Sequence, residues 1–138
     1  MIARAPTGVL AADAGSVQAR FPGQAPIDAY GNGGFRFASM SHRGSILCLP
    51  TAMLAWPVLA PDGLQPDDLA DVIAHRDGIE LLLLGTGSRQ VFPSQQLREA
   101  LRSVGITLEA MATGAACRTY NVLLAERRPV AAALVAVA

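Results

Sequence analysis

A chain of 138 residues, 51% hydrophobic and 16% charged, fits one domain with a filled core and excludes a disordered chain. The formal net charge is zero, and every cation is Arg, with no Lys at all. The absence of Lys reads as coding bias of a GC-rich genome, and the scattered, balanced charges lack the basic stripe that nucleic-acid binding needs.

Residues 1–22 show no sustained periodicity and read as a terminal arm carrying at most one edge strand. The division expected is an arm over residues 1–24 and one domain over residues 25–138. Ile27-Asp28-Ala29-Tyr30 alternates apolar and polar, which suits a half-buried strand. Gly31-Asn32-Gly33-Gly34 then predicts a hairpin turn, because Gly and Asn accept positive φ at low cost. Phe35-Arg36-Phe37 resumes the alternation, with both aromatics on one face and Arg36 on the other. His42-Arg43-Gly44 reads as a second turn. Ser45 to Leu49 reads as a strand that Pro50 ends, and Met53 to Val58 as a short strand that Pro57 confines to a sheet edge.

From Pro66 the period changes. Pro66-Asp67-Asp68 opens a helix, since Pro is tolerated in a first turn and carboxylates complement the helix dipole. Leu69, Val72 and Ile73 supply its apolar stripe, and Asp77-Gly78 stops it. Ile79 to Leu84 is almost wholly apolar, as a strand covered on both faces requires. Gly85-Thr86-Gly87 closes it. Ser94 is placed to cap a second helix, with Leu97, Leu101 and Val104 inward, Arg98, Glu99 and Arg102 outward, and Gly105 at its end. Thr107 to Met111 alternates as a strand. Thr113 is placed to cap a third helix over Ala115 to Ala125, with Tyr120, Leu123 and Leu124 inward. Val130 to Val137 reads as a last strand.

Two or three hairpin-paired strands followed by α, β, α, β, α, β predict an α/β fold. Its centre is a mixed, mostly parallel sheet flanked by helices, with an N-terminal β-hairpin region at one side.

Several constellations bear on function. Gly85-Thr86-Gly87-Ser88-Arg89 follows a buried strand, where open α/β sheets bind ligands. Its backbone N–H groups could cradle an anion that Arg89 pairs with, or the glycines could simply let the strand turn. Arg118 and Asn121 lie three apart on one helix face, either as plain surface or lining a cleft shared with the Gly85 loop. Arg36 either lines the same groove or is merely solvated. Asp67 and Asp68 are explained by their place in a first helical turn. Trp56 reads as a packing residue, though an exposed Trp would mark a partner surface. Cys48 and Cys117 read as small buried hydrophobes. His42 and His75 have no Cys, carboxylate or second His at ligand spacing. No catalytic residue, metal or cofactor is assigned, and Gly-x-Ser-x-Gly is absent. The apolar runs fall short of the roughly 20 residues of a membrane span. The opening Met1-Ile2-Ala3-Arg4 lacks a signal-peptide stretch, so a cytoplasmic protein is expected.

Five words in order carry a resemblance: Tyr30-Gly31-Asn32-Gly33-Gly34-Phe35-Arg36, Gly44 to Pro50, Leu82 to Gly87, Thr119 to Leu124, and Val130 to Leu134. Together they resemble the Mth938-like domain family (DUF498), a family of unknown function, over roughly residues 25–138. The resemblance implies a central mixed sheet with flanking helices and a small additional sheet. Eukaryotic relatives include a mitochondrial assembly factor for respiratory complex I; the family offers no established catalytic residues to carry over. The expectation is a non-catalytic binding or assembly-factor-type domain acting through Arg36, Gly85 to Arg89, Arg118 and Asn121. Its partner would be a protein or, alternatively, a small anion or other small molecule at the same cleft.

Overall fold

The computed structural model describes residues 20–138. Among the described residues, nine strands fall into two sheets. The larger has the order β1-β6-β5-β9-β7-β8 and the smaller the order β2-β3-β4. Their bounds are Arg20–Pro22 (β1), Ala29–Gly31 (β2), Gly34–Phe37 (β3), Met40–Arg43 (β4), Ser45–Leu49 (β5), Ala52–Trp56 (β6), Leu81–Gly85 (β7), Thr107–Met111 (β8) and Val130–Leu134 (β9). The helices are Ala70–Ala74 (α1), Gln95–Arg102 (α2) and Thr113–Ala125 (α3).

The large sheet is mixed. Strand β7 runs parallel to β8 and β9, while β9-β5, β5-β6 and β6-β1 are antiparallel. Parallel pairing, expected for most of the sheet, is thus confined to its β9-β7-β8 side, where helical crossovers connect the strands. Strands β5 and β6 enter as a hairpin and bring the antiparallel half. Strand β6 is not the edge that Pro57 suggested. Pro57 falls just past the strand, and β1 adds outside it. Residues 1–19 of the expected arm lie outside the described residues.

Alternation sorts the core into two layers. Leu47, Leu49, Leu82, Leu84, Ala131 and Ala133 face Leu69, Val72, Leu97 and Leu101 on one side. Ile46, Cys48, Leu83, Val130, Ala132 and Leu134 face α3 and the small sheet on the other. Strand β7 is buried through Leu82, Leu83 and Leu84, as its unbroken apolar run requires. Trp56 is buried, and its indole N–H donates to the Asp68 carbonyl at 2.8 Å. That contact removes it as a partner surface.

The first helical segment is shorter than its stripe implies: a 3₁₀ turn over Pro66–Leu69 precedes the five residues of α1. Asp68 lies in the first turn as expected, and its carboxylate also accepts the Gln65 N–H at 2.8 Å, a capping contact. Ser94 caps α2 through the Leu97 N–H at 3.1 Å. Thr113 does not cap α3. It is buried, and its hydroxyl donates to the Val135 carbonyl at 2.8 Å.

The small sheet is a meander. Asn32 and Gly33, both at positive φ, make the two-residue β2–β3 turn. Phe35 and Phe37 are buried and Arg36 is exposed, as their alternation requires. Where a turn was expected at His42 and Arg43 the chain is strand β4, and the bend comes at Gly44. Met40, Ser41 and Arg43 are all exposed, so β4 carries no apolar alternation to read.

Candidate functional site

The small sheet and α3 meet along one line, and the contact is polar. The Asp28 N–H donates to the Arg36 carbonyl at 2.8 Å, although the strand partner of Arg36 is Ala29. Two residues thus oppose one, as in a β-bulge. Ile27, just before it, presents its own backbone to α3. There the Asn121 side chain accepts the Ile27 N–H and donates to the Ile27 carbonyl, both at 2.8 Å. The amide makes the pair of bonds that a neighbouring strand would make. From the preceding residue of α3, the buried Tyr120 hydroxyl donates to the Ala25 carbonyl at 2.7 Å. Gln24 donates to the Val130 carbonyl at 2.7 Å. Residues 24–27 are therefore stitched to α3 and β9.

Beside this seam lies a groove of about 370 Å³, lined by Ile27, Asp28, Ala29, Tyr30, Cys117, Arg118 and Asn121. One wall is β2 with its lead-in and the other is α3. Tyr30 is 46% exposed, yet its ring is braced on α3. A Cβ at Gly114 would collide with the Tyr30 hydroxyl, so only glycine lets the ring lie there. Asp28 and Arg118 are exposed on opposite walls. Cys117 forms part of the floor. Burial pushes its thiol up to about 12, with the nearby Arg118 charge opposing the rise. A thiol held so high carries almost no thiolate near neutrality.

The residues expected to share one cleft divide into three places. Arg118 and Asn121 line the groove, and the Asn121 amide is already engaged by Ile27. Arg36 lies on the outer face of β3, where its guanidinium donates to the Ser41 hydroxyl at 3.2 Å. Gly85 to Arg89 lies at the end of β7 and lines no part of the groove.

That loop is built from the inside. Gly85 makes room for α3, since a Cβ there would lie 2.9 Å from Leu134 Cδ2 and 3.0 Å from Thr113 Oγ1. The Thr86 N–H donates to the Met111 carbonyl at 2.8 Å. The Gly87 N–H donates to Thr113 Oγ1 at 2.9 Å. The Thr86 hydroxyl donates to the Arg89 carbonyl at 2.6 Å and accepts the Val91 N–H at 3.0 Å. The N–H groups of Thr86 and Gly87 are thus spent on the fold and do not form an anion cradle. Ser88 and Arg89 are exposed beyond it.

Sequence reasoning did not single out Asp28, Tyr30 or Gly114. Asp28 and Tyr30 lie far in sequence from Gly114 and the rest of α3, and no local pattern announces their meeting. Among the described residues, no group of three or more His, Cys, Asp or Glu could hold a metal ion. Among the same residues, no helix is long and apolar enough to cross a membrane.

A solved structure described as an outer membrane protein from Bartonella henselae is 52% identical, covers 86% of this chain and 99% of its own, and superposes with a TM-score of 0.82. A Mth938-like domain from Bordetella pertussis is 29% identical over 80% of this chain and 85% of its own, with a TM-score of 0.71. The Mth938-like fold implied by the five sequence words is the fold found. NADH dehydrogenase (ubiquinone) 1 alpha subcomplex assembly factor 3 of Danio rerio is 34% identical over 79% of this chain. The match spans 63% of that relative's length, less than two thirds of it. A family model described as a protein of unknown function (DUF498/DUF598) matches residues 27–135, so the chain belongs to that family.

Proposed function

We propose that this chain is a non-catalytic binding protein of assembly-factor type, and that it holds a protein partner at the groove between β2 and α3. One observation carries the reading. The walls of the groove are fixed by the two Asn121–Ile27 bonds and the Tyr120–Ala25 bond, while Asp28, Tyr30 and Arg118 stay exposed above them. A pre-ordered surface gives up little conformational freedom on binding. Tyr and Arg are the residue types that most often anchor such surfaces. The similarity to a complex I assembly factor supports the same class of role. Arg118 is the proposed anchor for an acidic group on the partner, and Tyr30 the proposed stacking surface. The Gly85–Arg89 loop and Arg36 are placed outside this contact.

A photoreactive amino acid in place of Ala29, which lines the groove and leaves Arg118 intact, should crosslink to a partner in cells, whereas the same residue at position 36 should not. Equal crosslinking from both positions, or none from position 29, would remove the groove from the account.

A further inference from the structure

The large sheet ends at β8, and an unprotected edge strand recruits further strands. The Thr107 N–H donates to the Glu80 carbonyl and the Met111 carbonyl accepts the Thr86 N–H, so the odd-numbered residues of β8 face β7. The intervening Leu108 and Ala110 present their backbone outward. Both outward carbonyls are occupied by long side chains. Arg98 of α2 donates to the Leu108 carbonyl at 2.9 Å, and Gln90 of the loop after β7 donates to the Ala110 carbonyl at 2.8 Å. The loop that carries Gln90 is itself pinned by the Thr86 hydroxyl. Between the two carbonyls stands exposed Glu109.

We infer that Gln90 and Arg98 hold the outer edge of β8 shut against strand addition by a second copy of this chain. The occupant argued for is β8 itself. An antiparallel pair centred on Glu109 sets Leu108 opposite Ala110 twice, so every outward peptide group finds a partner. It also sets Glu109 opposite Glu109, and like charges directly opposite are destabilising. The edge therefore carries two polar plugs and one charge guard. This surface is separate from the β2–α3 groove.

The test is the pair of substitutions Gln90→Ala and Arg98→Ala made together, followed by light scattering over a rising concentration series. Amide exchange is read at Leu108 and Ala110. The double variant is expected to gain a doubling of mass that the wild type lacks at equal concentration, with at least tenfold slower exchange at those two amides in the associated form. Adding Glu109→Gln should shift the association to lower concentration. Arg102→Ala, on the same helix, should behave as wild type. If the double variant does not melt cooperatively, each single variant carries the test, with weaker association expected. A folded variant with unchanged mass, or association without protection of Leu108 and Ala110, would overturn the inference.

Discussion

Asn121 of α3 and Ile27 before β2 are joined by two hydrogen bonds of 2.8 Å, across 94 positions of sequence. Removing the amide leaves a half-buried backbone N–H and C=O without partners. A single such bond contributes about 1 kcal/mol, and an orphaned group costs about 1–3 kcal/mol. Asn121→Ala is therefore expected to lose roughly 2–4 kcal/mol in chemical denaturation. Asn121→Asp keeps one acceptor and loses the donor, so it should fall between the two. A loss below about 0.5 kcal/mol for Asn121→Ala would mean that the seam does not hold the groove.

Leu83 lies in the middle of β7, 1% exposed, on the face covered by α3. Leu83→Asp buries an unpaired carboxylate and is expected to cost more than the few kcal/mol that a small domain has in reserve. The variant should be insoluble or melt without cooperativity. A soluble Leu83→Asp protein with a sharp thermal transition would contradict the covered position of the strand.

The two hairpin turns of the small sheet make a controlled comparison. The β2–β3 turn uses Asn32 and Gly33, the pair its left-handed backbone favours. The β3–β4 turn places Ala38 and Ser39 at φ of 48° and 62°, where a Cβ is costly. Ser39 is exposed, so only the backbone conformation decides the effect of changing it. Ser39→Gly is expected to stabilise by roughly 0.5–1 kcal/mol, measured by denaturant midpoint. Destabilisation would show that Ser39 has contacts beyond its own turn.

His42 is buried, and burial pushes it below its ordinary value, with the bond to the Ser45 carbonyl acting in the opposite direction. The unfolded chain then binds this proton more readily than the folded one. Stability from this group is full above about 6.5, its ordinary value, and declines as pH falls below it. The non-titrating His42→Gln should show a flatter stability profile than wild type between about pH 7 and 5. Parallel profiles for the two proteins would contradict the assignment.

Strands β5 and β8 were legible to the residue, because a full apolar run and a clean alternation each leave a local signature. Strand β4 was not. Three of its four residues are exposed, and the turn before it lacks the Gly or Asn that marks the β2–β3 turn. The candidate site shows the same division. Spacing on one helix was enough to group Arg118 with Asn121. The opposite wall, Asp28 and Tyr30, comes from β2 and its lead-in, whose docking on α3 depends on Asn121 and on the space at Gly114. The glycines after β7 suggested a ligand loop, and their observed use is close packing of α3 and a bond to Thr113.

The most direct measurement is parallel affinity capture from cells with wild type, Arg118→Glu and Arg36→Glu, each first checked for an unchanged thermal transition. Both arginines are exposed, so stability should stay within about 0.5 kcal/mol of wild type. The account predicts that a specific partner is retained by wild type and Arg36→Glu and lost at least tenfold by Arg118→Glu. Equal recovery with Arg118→Glu, or equal loss with both variants, would contradict binding at the β2–α3 groove.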